Sequence, residues 1–369
     1  MRELRKYIAN VQAGREQGVG ARVLVALLLP ASLIYGLILF LRELGFRSGL
    51  LPQLRLPGKV ISIGNLTTGG TGKTSLTLQL AQTLGDWGCA PAVLTRGYGA
   101  AYSHSDLILQ AGHVDYGAMD WLADEVILLA TRLDDCWIGI GKDRFANGRK
   151  LHEQHGAKLF ILDDGLSHRK IVHDLEIVLI DAANPFGNGQ LLPAGSLREG
   201  RGALRRSDLV LLTHCEAVTD AALDSLEHEL SEYCGADTIL WLRTELTGLR
   251  DLSTGTAIAR NSLLDKTFIA FSGLGNPTSF AALLRDSGLQ LESELDYGDH
   301  YRYTETDVNH LLKLIADRES VHLVTTAKDA VKLPRERFQP NACLIAEIQL
   351  VFDSGAAIFE SKIREVAAC

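Results

Sequence analysis

Hydrophobic and polar positions divide the chain into short apolar runs that alternate with segments of helical periodicity. The run at 59–64 ends in glycine and predicts a strand, and residues 74–84 follow with helical spacing. Further strands are predicted at 91–95, 136–140, 159–162, 177–180 and 209–213, with helices at 125–133 and 144–155 between several of them. Strands that alternate with helices predict a largely parallel sheet that is covered on both faces.

The same alternation restarts near residue 267, after a polar stretch at 253–265. Strands are predicted at 267–271 and 322–325, and helices at 277–287 and 306–315. We therefore predict two α/β domains, the first at 51–262 and a second, smaller one at 263–369, preceded by an N-terminal helical segment at 1–50.

Residues 23–41 carry no charge and form a run just long enough to cross a bilayer. Pro30 and Gly36 weaken a straight helix, and Arg42 follows where a cleavable signal peptide needs small residues. Basic residues flank both ends, so the positive-inside rule assigns no orientation. We favour a helix that lies in the leaflet over a single span, and either of these over a helix buried in the protein.

Charge supports a membrane surface as a partner. Residues 1–59 hold nine Lys or Arg against three Glu, a net charge of +6, whereas the whole chain has −8, which leaves −14 for the remainder. A basic leader beside an apolar run suits an anionic lipid surface, and the negative total argues against a nucleic-acid partner. The six cysteines show neither CxxC nor zinc-finger spacing, which favours reduced cytosolic thiols.

A glycine-rich turn joins the first predicted strand to the first predicted helix of this pattern. Backbone N–H groups of such a turn cradle phosphate oxygens, Lys73 would reach the β and γ phosphates, and the Thr74 hydroxyl would ligate Mg²⁺. Thr67 stands where the usual phosphate-loop motif has its first glycine. The competing interpretation is a chance glycine-rich turn, which requires neither the lysine nor the threonine. The predicted ATP-binding residues are Thr68, Gly69, Gly70, Thr71, Gly72, Lys73 and Thr74.

A second apolar strand, at 159–162, ends in the paired carboxylates Asp163 and Asp164. Strand ends at the carboxyl edge of a parallel sheet face the ligand crevice, so either carboxylate is a candidate magnesium ligand. Taken alone, the pair also fits a simple Asp-Gly turn after a buried strand. Together with the glycine-rich turn it predicts a P-loop NTPase-like αβα sandwich.

Other polar clusters follow predicted strands, at 96–99, 124–125, 141–144, 192–199 and 299–300. Phosphoryl transfer needs an oriented hydroxyl, a metal ion and positive charge around the moving group. Each cluster also has an ordinary explanation, such as helix-terminus electrostatics for Asp124 and Glu125 or a solvated loop position for His300. Residue types and spacing do not choose among them.

In this order, however, the clusters resemble the tetraacyldisaccharide 4'-kinase family, the lipid A 4'-kinases. The resemblance covers about residues 20–333, and that family's phosphate loop also lacks the early glycine. The matching segments are 63–74, 95–99, 124–125, 141–144, 161–168, 192–195, 197–199, 271–277, 299–300 and 325–333.

The resemblance implies an ATP- and Mg²⁺-dependent kinase at the cytoplasmic face of the inner membrane. Its acceptor would be the 4' hydroxyl of a lipid-linked glucosamine disaccharide, its active site would lie between the two domains, and no protein partner is implied. Asp124 would be the catalytic carboxylate, paired with His300, and Lys73 would act on the phosphates. Thr74, Asp163 and Asp164 would hold the metal. The substrate side would comprise Tyr98, Glu125, Arg144, His168 and Arg198.

One departure bears on the substrate side, because Ser167 stands where the family usually has glutamine. Two other classes stay open. A regulatory NTPase or metal-insertion GTPase uses a similar loop, but the sequence lacks a Cys/His metal cluster and a guanine-specific Asn-Lys-x-Asp motif. If the protein were a membrane-tethered binding module, the paired aspartates and His300 would have no functional role.

Overall fold

The computed structural model describes residues 2–97, 107–113, 122–259, 266–299 and 301–367. The strands in these ranges are β1 (Lys59–Asn65), β2 (Pro91–Thr95), β3 (Leu107–Gln110), β4 (Trp137–Ile140), β5 (Leu159–Asp163), β6 (Leu175–Asp181), β7 (Leu209–Thr213), β8 (Ile239–Asp251), β9 (Ala257–Ile258), β10 (Thr267–Ser272), β11 (Gln290–Asp296), β12 (Val321–Thr326) and β13 (Cys343–Phe352). The α-helices are α1 (Arg2–Gln12), α2 (Val19–Arg47), α3 (Lys73–Asp86), α4 (Asp124–Arg132), α5 (Arg144–His155), α6 (Asp220–Ser231), α7 (Pro277–Asp286), α8 (Glu305–Ile315), α9 (Ala327–Ala330) and α10 (Ala356–Ala367).

Strand β1 lies between β5 and β6 and runs parallel to both. The strand order is β11-β10-β12-β13-β8-β7-β6-β1-β5-β2-β4-β3, with β9 attached to β8. Antiparallel pairs among the described strands are β3–β4, β8–β9 and β8–β13. The remaining neighbours are parallel, so the expectation of a largely parallel sheet is confirmed.

Helices cover both faces of the sheet, as the alternation along β6 demonstrates. Ile177 and Leu179 join the hydrophobic cluster that contains Leu76 of α3. Val178, between them, joins a different cluster with Leu223 of α6. Because successive side chains of a strand point to opposite faces, each face of the sheet has its own helix layer. This is the predicted αβα sandwich.

The two halves of the chain meet in one continuous sheet through the long strand β8. Its first residues pair in parallel with β7, and its later residues pair antiparallel with β13. The sequence pattern predicted neither β8 nor β13. The predicted domain boundary near residue 262 lies at 260–265, outside the described residues, and stays a prediction.

The last helix, α10, packs on the first half of the molecule. Its buried residues Ile363 and Val366 belong to the same hydrophobic cluster as Ile61 of β1 and Leu80 of α3. The C-terminal segment therefore leaves the second half and stabilises the sheet that carries the phosphate loop.

Among the described residues, α2 is the one helix long and apolar enough to cross a membrane. Most of its large apolar side chains are exposed, including Leu27 at 72% and Leu33 at 68%. The interpretation of the apolar run as a helix buried in the protein is therefore wrong.

One cysteine, Cys89, differs from the expectation of reduced thiols. Cys136, Cys215, Cys234 and Cys343 are free thiols, whereas Cys89 is disulfide-bonded. Burial raises the pKa of Cys136 to about 12 and that of Cys215 to about 11. These two thiols are therefore protonated and unreactive at neutral pH.

Candidate active site

The glycine-rich turn leaves the end of β1 and leads into α3. Gly69 has φ +128° and Gly72 has φ +84°, backbone conformations that favour glycine. A side chain at Gly69 would meet no atom within 4 Å, so the turn faces open space there. The Thr71 hydroxyl is buried and has no hydrogen-bond partner among the described residues. Such a turn at a helix N-terminus can receive phosphate oxygens.

Lys73 is the first residue of α3 and lies among carboxylates. Burial lowers the pKa of Lys73, and the negative charges of Asp164 and Asp163 offset part of that effect. Thr74, next in the helix, is half-buried. The predicted phosphate-binding lysine and the end of β5 therefore come together, as expected of neighbouring parallel strands.

Asp163 ends β5 and is only 3% exposed. Its carboxylate accepts hydrogen bonds from the hydroxyls of Thr77 at 3.4 Å and Thr95 at 3.1 Å. Burial, reinforced by the negative charge of Glu125, raises the pKa of Asp163 to about 6. A buried carboxylate of this kind is stabilised in its charged form when a cation binds it.

Asp164 turns away from its neighbour because its backbone is left-handed, with φ +57°. Both of its oxygens accept hydrogen bonds from the Arg198 guanidinium at 2.8 Å, a bidentate pair. Burial acts to raise the pKa of Asp164, but Arg198 and Lys73 hold it below its usual range. The two predicted metal ligands thus have different environments, and Asp164 is paired with Arg198.

Arg144 and His168 complete this side of the site. Arg144, at the start of α5, is 5% exposed, and burial lowers its pKa against the opposing pull of Asp164 and Asp163. Burial and the nearby Arg144 charge lower the pKa of His168 to about 4, so the ring is neutral at pH 7. The Nε2 atom of His168 is buried and has no hydrogen-bond partner among the described residues.

The N-terminus of α4 carries Asp124 and Glu125 against the second half of the chain. Lys332 Nζ lies 3.4 Å from Asp124 Oδ2 and 2.8 Å from Asp329 Oδ1. Lys328 Nζ lies 3.4 Å from Glu125 Oε1. Asp124 and Glu125 therefore form ion pairs with lysines of the segment that follows β12, in the second half of the chain.

Sequence reasoning gave no role to Lys328, Asp329 or Lys332. Asp329 is fully buried and accepts hydrogen bonds from the Gly273 N–H at 3.0 Å and the Thr326 hydroxyl at 2.7 Å. All three side chains lie in the family-like segment 325–333, which was the available signal. Their charge pattern did not reveal that they face α4.

Two predicted site residues, Tyr98 and His300, lie outside the described residues. The structure brings together Lys73, Asp163, Asp164, Arg144 and Arg198 by distance or charge interaction, with Glu125 near Asp163 and Lys73. Among the residues that the structure describes, no group of three or more His, Cys, Asp or Glu side chains could hold a metal ion.

A family model, named relatives and a solved structure are all similar to this chain. A family model described as tetraacyldisaccharide-1-P 4'-kinase matches residues 24–367. A protein of Pelobacter propionicus named tetraacyldisaccharide 4'-kinase is 35% identical over 97% of both chains. A protein of the same name from Geobacter sulfurreducens is 37% identical over 88% of both chains.

A solved structure is also similar to this fold. It is the crystal structure of the "apo" form of LpxK from Aquifex aeolicus in complex with ATP. The TM-score is 0.74 at 29% sequence identity, and the match covers 93% of this chain and 99% of the other. With the family model, the relatives and the fold in agreement, this chain belongs to the tetraacyldisaccharide 4'-kinase family.

Proposed function

We propose that this protein transfers the γ-phosphoryl group of ATP to the 4' hydroxyl of a tetraacyl glucosamine disaccharide 1-phosphate in lipid A biosynthesis. The observation that carries the proposal is the meeting of the glycine-rich turn, Lys73 and the β5 carboxylates at one edge of the sheet. The names of the family model and of the relatives supply the acceptor.

The donor set at the phosphate loop fits Mg²⁺. Asp163 offers a buried carboxylate whose pKa is raised by burial and by the negative charge of Glu125, and Thr74 offers a hydroxyl one residue into α3. Magnesium prefers oxygen ligands and takes few of them from the protein, since phosphate oxygens and water supply the others. We assign the metal to Asp163 and Thr74, with Asp164 turned to Arg198. When bound, the metal would neutralise charge on the β and γ phosphates.

Two cationic side chains, Lys73 and Arg144, have separate proposed roles in binding the phosphates. Lys73 would contact the β and γ phosphates from the start of α3. Arg144 is buried, with its Nε atom unpartnered among the described residues, and so it can turn its donors toward an anion. Positive groups placed where charge develops stabilise the transition state most in a site that excludes water.

Asp124 would act as the general base, with His300 as its partner. The acceptor oxygen would form a bond to the γ phosphorus while the bond from that phosphorus to the bridging oxygen breaks, which leaves ADP. The proton of the 4' hydroxyl would pass to Asp124. Lys332 lies 3.4 Å from this carboxylate and would hold it toward the acceptor. Glu125 and His168 would contact the disaccharide, together with Tyr98.

One assay separates the proposal from a regulatory NTPase, a metal-insertion GTPase or a binding module. The purified chain is incubated with γ-labelled ATP, Mg²⁺ and the tetraacyl disaccharide 1-phosphate in mixed micelles. We expect label in the lipid, with little inorganic phosphate, and no lipid label from Lys73→Met. Labelled inorganic phosphate without labelled lipid would instead support the NTPase class.

The proposed location is the cytoplasmic face of the inner membrane. The exposed apolar side of α2 and the net charge of +6 over residues 1–59 both suit an anionic leaflet. Vesicle flotation with and without anionic lipid tests this, and we expect binding that weakens in high salt.

A further inference from the structure

One side of α2 packs along the protein over nearly its whole length. The buried or half-buried positions on that side recur every three or four residues, which is the spacing of one helix face. They include Ala21, Leu28, Ser32, Tyr35, Leu39, Arg42 and Gly45. The opposite side presents exposed apolar residues such as Leu33 at 68% and Ile34 at 62%. The helix therefore has a protein side and an outer side.

Two hydroxyls on the protein side bind the loop at 191–199. The Ser32 hydroxyl, in the middle of α2, donates to the Leu191 carbonyl and accepts from the Ala194 N–H, each at 2.9 Å. The Tyr35 hydroxyl donates to the Arg198 carbonyl at 2.9 Å. Ser32 is only 4% exposed, so these bonds are shielded from water.

The same loop carries Arg198 to Asp164 and touches the phosphate loop. The Arg198 N–H donates to the Leu66 carbonyl at 2.7 Å, and the Thr68 N–H donates to the Ser196 carbonyl at 2.8 Å. A third α2 residue, Arg42, forms an ion pair with Glu199. A continuous set of contacts thus runs from the apolar helix to the bidentate Arg198–Asp164 pair.

These contacts also favour a lying helix over a spanning one. Ser32 and Tyr35 are near the centre of α2, so a bilayer centred on the helix would enclose the loop they bind. Irregular loop backbone in contact with hydrocarbon leaves polar groups without partners, and this does not occur in membranes. A helix that lies along the surface of the leaflet, with only its outer side in lipid, avoids this cost.

We propose that α2 is a positioning element for the acceptor site, in which Ser32 and Tyr35 hold the loop that presents Arg198. The inference rests on the proposed function and extends it. The helix and the loop at 191–199 form one connected unit. A disaccharide whose acyl chains stay in the leaflet therefore meets Arg198 and Asp164 at a fixed height above the lipid.

The test combines Ser32→Ala with Tyr35→Phe and uses two acceptors. One is the tetraacyl disaccharide 1-phosphate in mixed micelles, and the other is the same disaccharide with its acyl chains removed. We expect kcat/KM to fall about tenfold for both acceptors, while the KM for ATP changes less than about twofold. A defect with the deacylated acceptor separates positioning from lipid partitioning. Tyr35→Phe alone, which preserves the ring, should shift the same constants in the same direction by a smaller factor.

The matched control is Leu33→Gln with Ile34→Gln, on the outer side of the same helix. We expect it to lose vesicle flotation and to keep wild-type kinetics with the deacylated acceptor, whereas the Ser32/Tyr35 variant should still float. The positioning role is overturned if the Ser32/Tyr35 variant has wild-type acceptor kinetics, or if its KM for ATP rises as much as its acceptor KM. Wild-type turnover in the same assay reports the proposed function separately, because a wild-type protein that labels neither acceptor contradicts that function itself.

Discussion

At the scale of the residue, two adjacent carboxylates have opposite environments. Asp163 stays in line with β5 and is buried among hydroxyls, whereas the left-handed backbone of Asp164 directs its side chain to Arg198. Burial raises the pKa of the first to about 6, and the guanidinium holds the pKa of the second below its usual range. One aspartate is therefore available to a cation and the other is already paired.

Asp163→Asn should abolish turnover without harming the fold. We expect kcat to fall at least about a hundredfold, because the proposed magnesium ligand and a negative charge are lost together. The folded pKa of about 6 lies above the ordinary value of 3.8, so the folded state holds its proton where the unfolded chain has released it. Stability of the metal-free protein therefore falls as pH rises from about 4 through 6.

Asp163→Asn removes this loss of stability with rising pH, because asparagine does not titrate. Its Tm in EDTA should equal or exceed that of the wild type at pH 7, and the difference should shrink toward pH 4. Thermal melts across this pH range check the sign. A variant that melts well below the wild type at pH 7 would contradict the assignment of Asp163 as a destabilised charge.

His168 should have the opposite pH dependence. Its pKa is lowered from 6.5 to about 4, first by burial and then by Arg144. The unfolded chain gains the proton first as pH falls, so stability is intact above pH 6.5 and is lost from there toward pH 4. His168→Gln should flatten this loss. Melting curves at pH 7, 5.5 and 4.5 measure it, and an unchanged acid slope would contradict the prediction.

At the scale of the element, α4 links the two halves of the site. Its first residues, Asp124 and Glu125, contact lysines of the 325–333 segment, and its last residue, Arg132, contacts β13. Lys332 is anchored in turn by Asp329, which is bound to backbone and hydroxyl donors. The orientation of α4 therefore depends on contacts made by the second half of the chain.

Lys332→Met keeps most of the side-chain volume and removes the charge beside Asp124. We expect kcat to fall about tenfold, since the proposed base Asp124 would be misplaced, with little change in the KM for ATP. The exposed Lys313 of α8 provides the control, and Lys313→Met should match the wild type. Initial rates at varied ATP and varied acceptor distinguish the two constants. A rise in the KM for ATP with unchanged kcat would place Lys332 at the nucleotide instead.

At the scale of the whole molecule, the β8–β13 pair joins the two parallel sets of strands. A cluster of three charges lies across this join. Glu347 of β13 accepts two hydrogen bonds from Arg132 of α4, both at 2.7 Å, and a third from Arg250 of β8 at 3.0 Å. The same side chain thus connects β13, β8 and the helix that carries Asp124.

Glu347→Gln should weaken this connection. The half-buried, bidentate pair predicts a loss of about 1–2 kcal/mol in the free energy of unfolding, seen as a lower Tm. The control is Glu360→Gln, which removes an exposed ion pair with Arg364 within α10 and should cost less than about 0.5 kcal/mol. Equal effects of the two substitutions would show that the Glu347 cluster is no stronger than a surface pair.

The sequence by itself determined the phosphate loop, its strand and helix, and the parallel αβα sandwich. These features depend on short-range constraints: glycine permits positive φ at 69 and 72, and apolar runs of strand length alternate with helical periodicity. Lys73 and Asp163 could be assigned to one site in advance because the carboxyl ends of parallel strands lie at one edge of the sheet. The roles of Tyr98 and His300 stay predictions.

Only the tertiary structure decided how distant segments meet. The Arg198–Asp164 pair, the lysines that hold α4, the return of α10 and the packing of α2 on the loop at 191–199 all join residues far apart in the chain. The strands of the join, β8 and β13, mix polar and apolar positions and carry no clear period. A local pattern records which side of an element is buried, but not which element covers it, because that choice depends on the packing of the whole chain.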